Sequence, residues 1–426
     1  MNFSKYEALW NDEALVERID AGIERHRKTD VTLRVADSAC KPVAGAPVKI
    51  KQITSDFLFG ANIFKLGCYA DPALERGYEG MFTRLLNAAS VPLYWKTLEP
   101  RPGAVRFEVN SEPIDRRPPP DLVVPFCQQH NLNMNGHCLV WDNTQHAVPE
   151  WIEDTRRCEP LIENRIRQIA ERYGDRIQRW DVLNESLARG HAGKQPIFPD
   201  GYEWLAFECA QRYLPDSAHL MINETTGAAW HPKYLPDYHK QIEAMLKRGV
   251  KIDGIGLQWH LFTVEDVRRM FNGERFQPKV LLDTLDSYNV HGRPLHISEI
   301  TLPCPTEDKE GRDIQARMAY DVYRLFFSQK MVHAVTWWNF PDGGAVPGED
   351  RVLSGLVERD MSPKPAYESL DQLINHDWRT NTIVTTGADG IARFRGFRGE
   401  YRITCGGTIN EMAVTGEQVE QRVIIQ

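Results

Sequence analysis

Eight short apolar runs, each followed by a charged stretch, constrain this chain more than any other feature. They are FLFGANIF (57–64), AASVPLYW (88–95), NMNGHCLVW (133–141), IQRWDVLNE (177–185), HLMINET (219–225), DGIGLQWHL (253–261), PLHISEI (294–300) and HAVTWWNF (333–340). Between them lie helix-like segments such as LIENRIRQIAERYG (161–174) and HPKYLPDYHKQIEAMLKRG (231–249). Strand alternating with helix implies a parallel sheet. Eight such units in roughly 320 residues fit an α/β fold of the (β/α)8 TIM-barrel type, whose chemistry sits at the C-terminal ends of the strands.

The two chain ends have a different texture. Residues 4–29 read as one amphipathic helix, with Leu9, Leu15, Ile19 and Ile23 at helical spacing. Residues 31–52 alternate like a hairpin, and from 379 onward strand-like runs return around an Ala-Asp-Gly turn at 388–390. Neither piece is large enough to bury a sheet face alone. They are therefore expected to pair into one small β-sandwich, two independent appendages being the alternative. The expected division is an N-terminal helix (1–29), the first part of the sandwich (30–56), the barrel (57–376) and the second part of the sandwich (377–426).

Of the 426 residues, 42% are hydrophobic and 26% charged, an ordinary balance for a folded chain. With 51 basic against 59 acidic residues there is neither a basic excess nor a basic stripe, so nucleic acid is not an expected partner. No apolar run is long enough for a membrane span, and MNFSKYEALWNDEALVERIDAGIERHRKTD has no apolar segment of signal-peptide type. The chain is expected either to be cytoplasmic or to have lost an export signal. The eight cysteines are scattered, without C-x-x-C, and read as reduced core or surface residues.

Polar and aromatic residues gather at the strand ends. The third barrel strand carries His137 and Trp141, the fourth Asn184 and Glu185, the fifth Asn223 and Glu224. The sixth carries Gln258 and His260 on one face, with Trp259 on the other. The seventh carries Glu299; the eighth Trp337 and Trp338, followed by Asn339 and Asp342. Singly, each suits a core residue or a helix cap. Jointly, on one rim, they form a site. Two carboxyl groups flanking a cleft among amides and aromatics suit glycoside hydrolysis, with one acid protonated and the other ionised. Trp faces suit sugar rings.

The motifs GHCLVW, WDVLNE, GLQWHL, HISEI and SPKPAYESL, in this order over about 57–376, resemble the xylanases of glycoside hydrolase family 10. The resemblance implies a retaining β-glycanase acting on a polysaccharide or oligosaccharide, most simply a xylan-type β-1,4-linked chain, without metal or organic cofactor. By motif, Glu185 matches the acid/base and Glu299 the nucleophile, in a Ser-Glu where the family has Thr-Glu. Asn184 would bond the sugar 2-hydroxyl, His260 the nucleophile, and Gln258 would lie beside the acid/base. His137 and Trp141 would line the same subsite, with Trp338 as a wall. The segments HRKTDVTLRVADSACKPVAGAPVKIK and TTGADGIARFRGFRGEYRIT resemble two halves of a transthyretin-like sandwich.

Departures fall on the sugar-gripping positions. Where the family has Glu-Asn and Lys after the second strand, this chain has Val91, Pro92 and Tyr94, and Lys96 falls out of register to stand in. Tyr94 is the candidate replacement contact. After the third strand, His-Ser-Gln becomes Asp142, Asn143 and Thr144, and PDGGAVPGEDR lacks the Trp that closes over the sugar. Another β-glycan or a short oligosaccharide therefore remains open. Two other readings compete: an inactive glycan-binding barrel, and a metal-dependent hydrolase using His137, Asp142, His146 and His260. Phe394, Phe397 and Tyr401 suggest a carbohydrate-binding sandwich, against the simpler expectation that they fill its core.

Overall fold

In the computed structural model, residues 1–425 are described except 154–157, 189–195, 350, 351 and 417. All eight expected strands form, as β3 (Leu58–Asn62), β4 (Ala88–Pro92), β5 (Asn133–Val140), β6 (Arg179–Asn184), β7 (His219–Glu224), β8 (Gly254–His260), β9 (Leu295–Thr301) and β10 (Val332–Trp337). They close into one barrel, all neighbours parallel, with Ala334 to Trp337 of β10 in register with Leu58 to Ala61 of β3. Burial on both faces explains why these strands read as nearly continuous apolar runs. Helices such as Cys158–Tyr173 and Lys309–Ser328 pack their apolar faces outside the barrel. Trp180, Trp259 and Trp337 are fully buried among them.

The termini contribute to both remaining sheets. β1 (Lys28–Ala36) runs antiparallel to β12 (Ile391–Phe397) and parallel to β15 (Gln418–Ile424). β2 (Pro47–Gln52) lies between β11 (Asn381–Thr385) and β13 (Gly399–Cys405), and β14 (Thr408–Val414) completes four strands. Val31 and Leu33 from one sheet and Val48, Ile50, Tyr401 and Ile403 from the other belong to one small core. The two ends thus fold together rather than as separate appendages. Tyr401 is 1% exposed, and Phe397 joins the barrel core instead, stacking toward Phe327. Phe394 is partly buried against the sandwich core. None of the three forms an exposed platform for sugar.

The single N-terminal helix expected over 4–29 is two: α1 (Phe3–Trp10) and α2 (Glu13–Arg27). Asp12 accepts from the Leu15 amide and starts a new helix, a local cap that the continuous apolar spacing concealed. Lys28 already belongs to β1. The buried Arg27 ties α2 to the barrel, its guanidinium donating to the carbonyls of Phe327, Gln329 and Val332. Among the described residues, no helix is long and apolar enough to cross a membrane.

Candidate active site

The barrel brings all nine sequence-derived site residues to one cavity of about 280 Å³: Tyr94, His137, Trp141, Asn184, Glu185, Gln258, His260, Glu299 and Trp338. The floor follows from register. Asn184 of β6 lies beside Asn223 of β7, and Asn223 beside Gly256 of β8, while Gln258 of β8 lies beside Glu299 of β9.

Asn223 is the hub of this floor. Its Nδ2 donates to Asn184 Oδ1 at 2.8 Å and to Glu299 Oε1 at 3.0 Å, and its Oδ1 accepts from Ser298 Oγ at 2.5 Å. It therefore spans from β7 to β9, across the intervening β8. The span requires Gly256, because a Cβ there would stand 2.4 Å from Asn223 Oδ1. Glu299 is also approached by His260 Nε2, 3.3 Å from Oε2, and by His137 Nε2, 4.0 Å from Oε1. His260 is held from behind by Thr301, with Nδ1 and Oγ1 2.8 Å apart. Behind His137, its Nδ1 meets Asp181 Oδ2 at 2.8 Å, and Asn135 donates to the same oxygen. Burial works against the His137 cation, but the Asp181 bond and the charge of Glu299 outweigh it and raise the imidazole above its ordinary value. Glu299 thus has the Asn223 amide and the His260 and His137 imidazoles for neighbours.

Glu185 has the opposite environment. It sits just past the end of β6 with φ +49°, a left-handed conformation that a non-glycine residue adopts at a cost, held by its amide donating to the Asn223 carbonyl at 2.9 Å. Among the described residues its carboxyl accepts one side-chain hydrogen bond, from Gln258 at 2.9 Å. Burial first, then the negative charge of Glu299, push it up to about 8. The following turn is pinned by Glu224, which accepts from the amides of Leu187 and Thr225 and from Ser186 Oγ. Burial raises Glu224 to about 7 despite those donors. Glu185, raised by burial, and Glu299, bonded by Asn223, thus face one cavity in different surroundings, an asymmetry between two acids that acid–base chemistry can use.

The walls are aromatic. Trp338 packs edge-on against Phe64 and His137, and Tyr94 against Phe64, His137 and Trp141. Lys96 is not in the lining; its ammonium pairs with Glu150 at 3.1 Å. Asn143 borders the cavity and holds its own loop, accepting from the amides of Gln145 and His146. Past β10, Val346 and Glu349 line the cavity, from the segment that lacks the family's Trp in the sequence.

Sequence reading missed the hub role of Asn223 and two lining arginines, Arg116 and Arg117. The arginines lie in the loop after β4, in DRRPPP, where no periodicity marks a side chain as inward. Their one signal was position: a βα loop of a barrel opens on the face that carries the site. Among the described residues, no group of three or more His, Cys, Asp or Glu side chains is placed to hold a metal ion. Of the proposed ligand set, His137 faces Asp181 and Glu299, His260 faces Thr301 and Glu299, and Asp142 accepts from the Ile197 amide.

A parallel eight-stranded barrel whose aromatic cavity is bordered by Glu185 and Glu299 at the strand ends defines the class of protein to which this chain belongs. A model of glycosyl hydrolase family 10 matches residues 95–373, and the chain is a member of that family. It is 24% identical over 396 residues to the anti-sigma-I factor RsgI6 of Acetivibrio thermocellus, covering 91% of this chain and 46% of that protein. Identity to endo-1,4-beta-xylanase 1 of Arabidopsis thaliana is 22% over 396 residues, 92% of this chain and 38% of that one. Endo-1,4-beta-xylanase A of Halalkalibacterium halodurans is 31% identical over 203 residues, 41% of this chain and 48% of its own. The chain thus spans less than half the length of these relatives. In fold, it superposes on native xylanase 10B from Thermotoga maritima with a TM-score of 0.61 and 20% identity, covering 76% of this chain and 96% of that one.

Proposed function

We propose that this protein is a retaining glycoside hydrolase acting on a β-linked glycan, a xylan-type β-1,4-linked chain or its oligosaccharides being the first candidate. The observation that carries the reading is the contrast between the two carboxyl groups: Glu185 is raised to about 8, while Glu299 faces Asn223, His260 and His137. In this mechanism Glu185 protonates the leaving oxygen while Glu299 attacks the anomeric carbon. The glycosyl–enzyme ester is then opened by a water that Glu185 deprotonates. The two carboxyl groups are expected about 5–5.5 Å apart. Asn184 would bond the sugar 2-hydroxyl, with its amide oriented by Asn223, and His137, Trp141, Trp338 and Tyr94 would enclose the ring. No step calls on a metal or an organic cofactor.

The test is a panel of defined β-linked oligosaccharides, with products identified by mass spectrometry and the anomer of the first product read by NMR. Cleavage with retained configuration, lost in Glu299→Ala, is the expected outcome. An inverted first product would overturn the mechanism. A second reading, glycan binding without cleavage, draws on the regulatory name of one long-matching relative, an anti-sigma factor. Equal background release from the parent protein and Glu299→Ala, with oligosaccharide binding retained, would favour it.

A further inference from the structure

The strand-end acids leave one part of the cavity unexplained. Arg116 and Arg117 stand side by side on its wall, and among the described residues neither has a carboxylate within ion-pairing distance. Arg116 is 6% exposed. One of its terminal nitrogens donates to Asn339 Oδ1 at 2.9 Å, while its buried Nε has no partner. The backbone is bent to put it there: Arg116 has φ +62° and Asn339 φ +68°, both non-glycine residues in the left-handed region. Arg117 lays its guanidinium 3.9 Å over the Tyr94 ring and, among the described residues, donates to a protein acceptor only through NH1, to the Arg116 carbonyl. Glu349 is the acid of the same wall, and it is engaged by Asn339 Nδ2 at 3.1 Å, so that the amide stands between it and Arg116.

A buried guanidinium beside a half-buried one, with acids such as Glu349 near but not paired to either, is unfavourable in a folded chain unless something else compensates. The guanidinium fork is suited to planar oxyanions, which it can grip with two parallel hydrogen bonds. We propose that Arg116 and Arg117 form a receptor for an anionic group carried by the glycan, a sugar carboxylate or a sulfate ester. This rests on the glycan-cleaving reading of the same cavity and narrows its substrate to an acidic sugar chain. The placement keeps the anion away from the reacting acids. Arg117 lies over Tyr94, Tyr94 packs edge-on against His137 with ring centres 5.3 Å apart, and Glu299 lies beyond His137. The receptor therefore serves a group on a neighbouring position of the chain. It stands on the loop after β4 and touches Tyr94, one of the residues that replace the family's sugar-gripping positions.

The test uses the full chain and three 4-nitrophenyl β-glycosides of a β-1,4-linked disaccharide. They differ only at C6 of the non-reducing sugar: a hydroxymethyl group, a carboxylate or a 6-sulfate. The expected kcat/KM is at least tenfold higher for one of the acidic substrates than for the neutral one, and which acid is preferred identifies the source of the anion. In Arg117→Gln this ratio falls toward one, and Arg117→Lys keeps part of it. In the unaltered protein, raising NaCl from about 50 to 500 mM lowers the ratio severalfold, a measurement that does not depend on any variant folding. A ratio at or below one in the unaltered protein, or a ratio that Arg117→Gln and salt leave unchanged, overturns the proposal. Should none of the three be cleaved, the glycosidase reading is judged by the oligosaccharide panel above. Calorimetry with the free acidic and neutral disaccharides then decides the receptor separately: tighter acidic binding supports it and equal binding overturns it.

Discussion

On the floor of the cavity, Asn184, Asn223, Ser298 and Glu299 sit at the ends of three strands, and both polar atoms of the Asn223 amide are engaged by neighbours. On the wall after β4, Arg116 and Arg117 sit on a loop with, among the described residues, one protein acceptor each. The floor is a closed hydrogen-bond lattice that orients reacting groups. The wall is open and its polar capacity points to something the chain itself does not supply. Buried polar networks fix geometry when fully satisfied, whereas unsatisfied buried donors are costly and mark places where a ligand completes the set. Floor substitutions should therefore fall on kcat, and wall substitutions on KM and selectivity.

The largest expected effect is on the floor. Glu299→Ala should lower kcat by about 10⁴-fold or more, as removal of a covalent nucleophile does, with oligosaccharide affinity retained. Steady-state kinetics on a cleaved oligosaccharide, paired with calorimetry, checks both halves. A loss confined to KM would erase the distinction between floor and wall.

Next comes the hub. Asn223→Ala removes a donor to Glu299 and another to Asn184, and a hydrogen bond to a charged group contributes roughly 1.5–3 kcal/mol. A fall in kcat of about 10–100-fold is expected, with KM changed little. Gly256→Ala should reproduce it without removing a polar atom, because the new methyl group would displace the Asn223 amide. If Gly256→Ala is fully active, the span across β8 is not what orients the nucleophile. On the wall, Tyr94→Ala takes away the ring beneath Arg117, a contact of roughly 0.5–1 kcal/mol, and should raise KM a few-fold while kcat moves less.

The same contrast decides what was legible beforehand. The eight strands could be read because burial on both faces leaves continuous apolar runs, and their polar ends stood out against that background. Residues such as Glu185, Gln258 and His260 were recognisable from position alone. The part played by Asn223 was not, because it depends on the register of three strands and on the missing side chain of Gly256. Arg116 and Arg117 were hidden for another reason: a loop has no period to tell inward from outward. The break between α1 and α2 escaped because apolar spacing continues through Asn11 and Asp12, while the Asp12 cap acts on a single turn. At the sandwich, aromatic residues invited a binding role that burial of Tyr401 and Phe397 removes.

The smallest expected effect concerns stability, and it sharpens the account of Glu185. Burial and Glu299 raise this carboxyl from an ordinary value of 4.5 to about 8 in the folded chain. Between those two values the native protein binds a proton that the unfolded chain releases, so stability declines as pH rises through this window. Below about 4.5 both states are protonated and the penalty vanishes; above about 8 it is fully present. Glu185→Gln keeps the shape of the protonated acid and cannot ionise. Its melting temperature should match that of the parent near pH 5 and exceed it by at least about 1 °C at pH 9, where roughly 1 kcal/mol or more of the ionisation penalty is removed. The same titration should make kcat/KM of the parent fall as pH passes about 8, because the general acid is then lost. A melting advantage equal at both pH values would mean that packing, not ionisation, separates the two side chains, and Glu185 would then lack the shifted acid that the proposed mechanism needs.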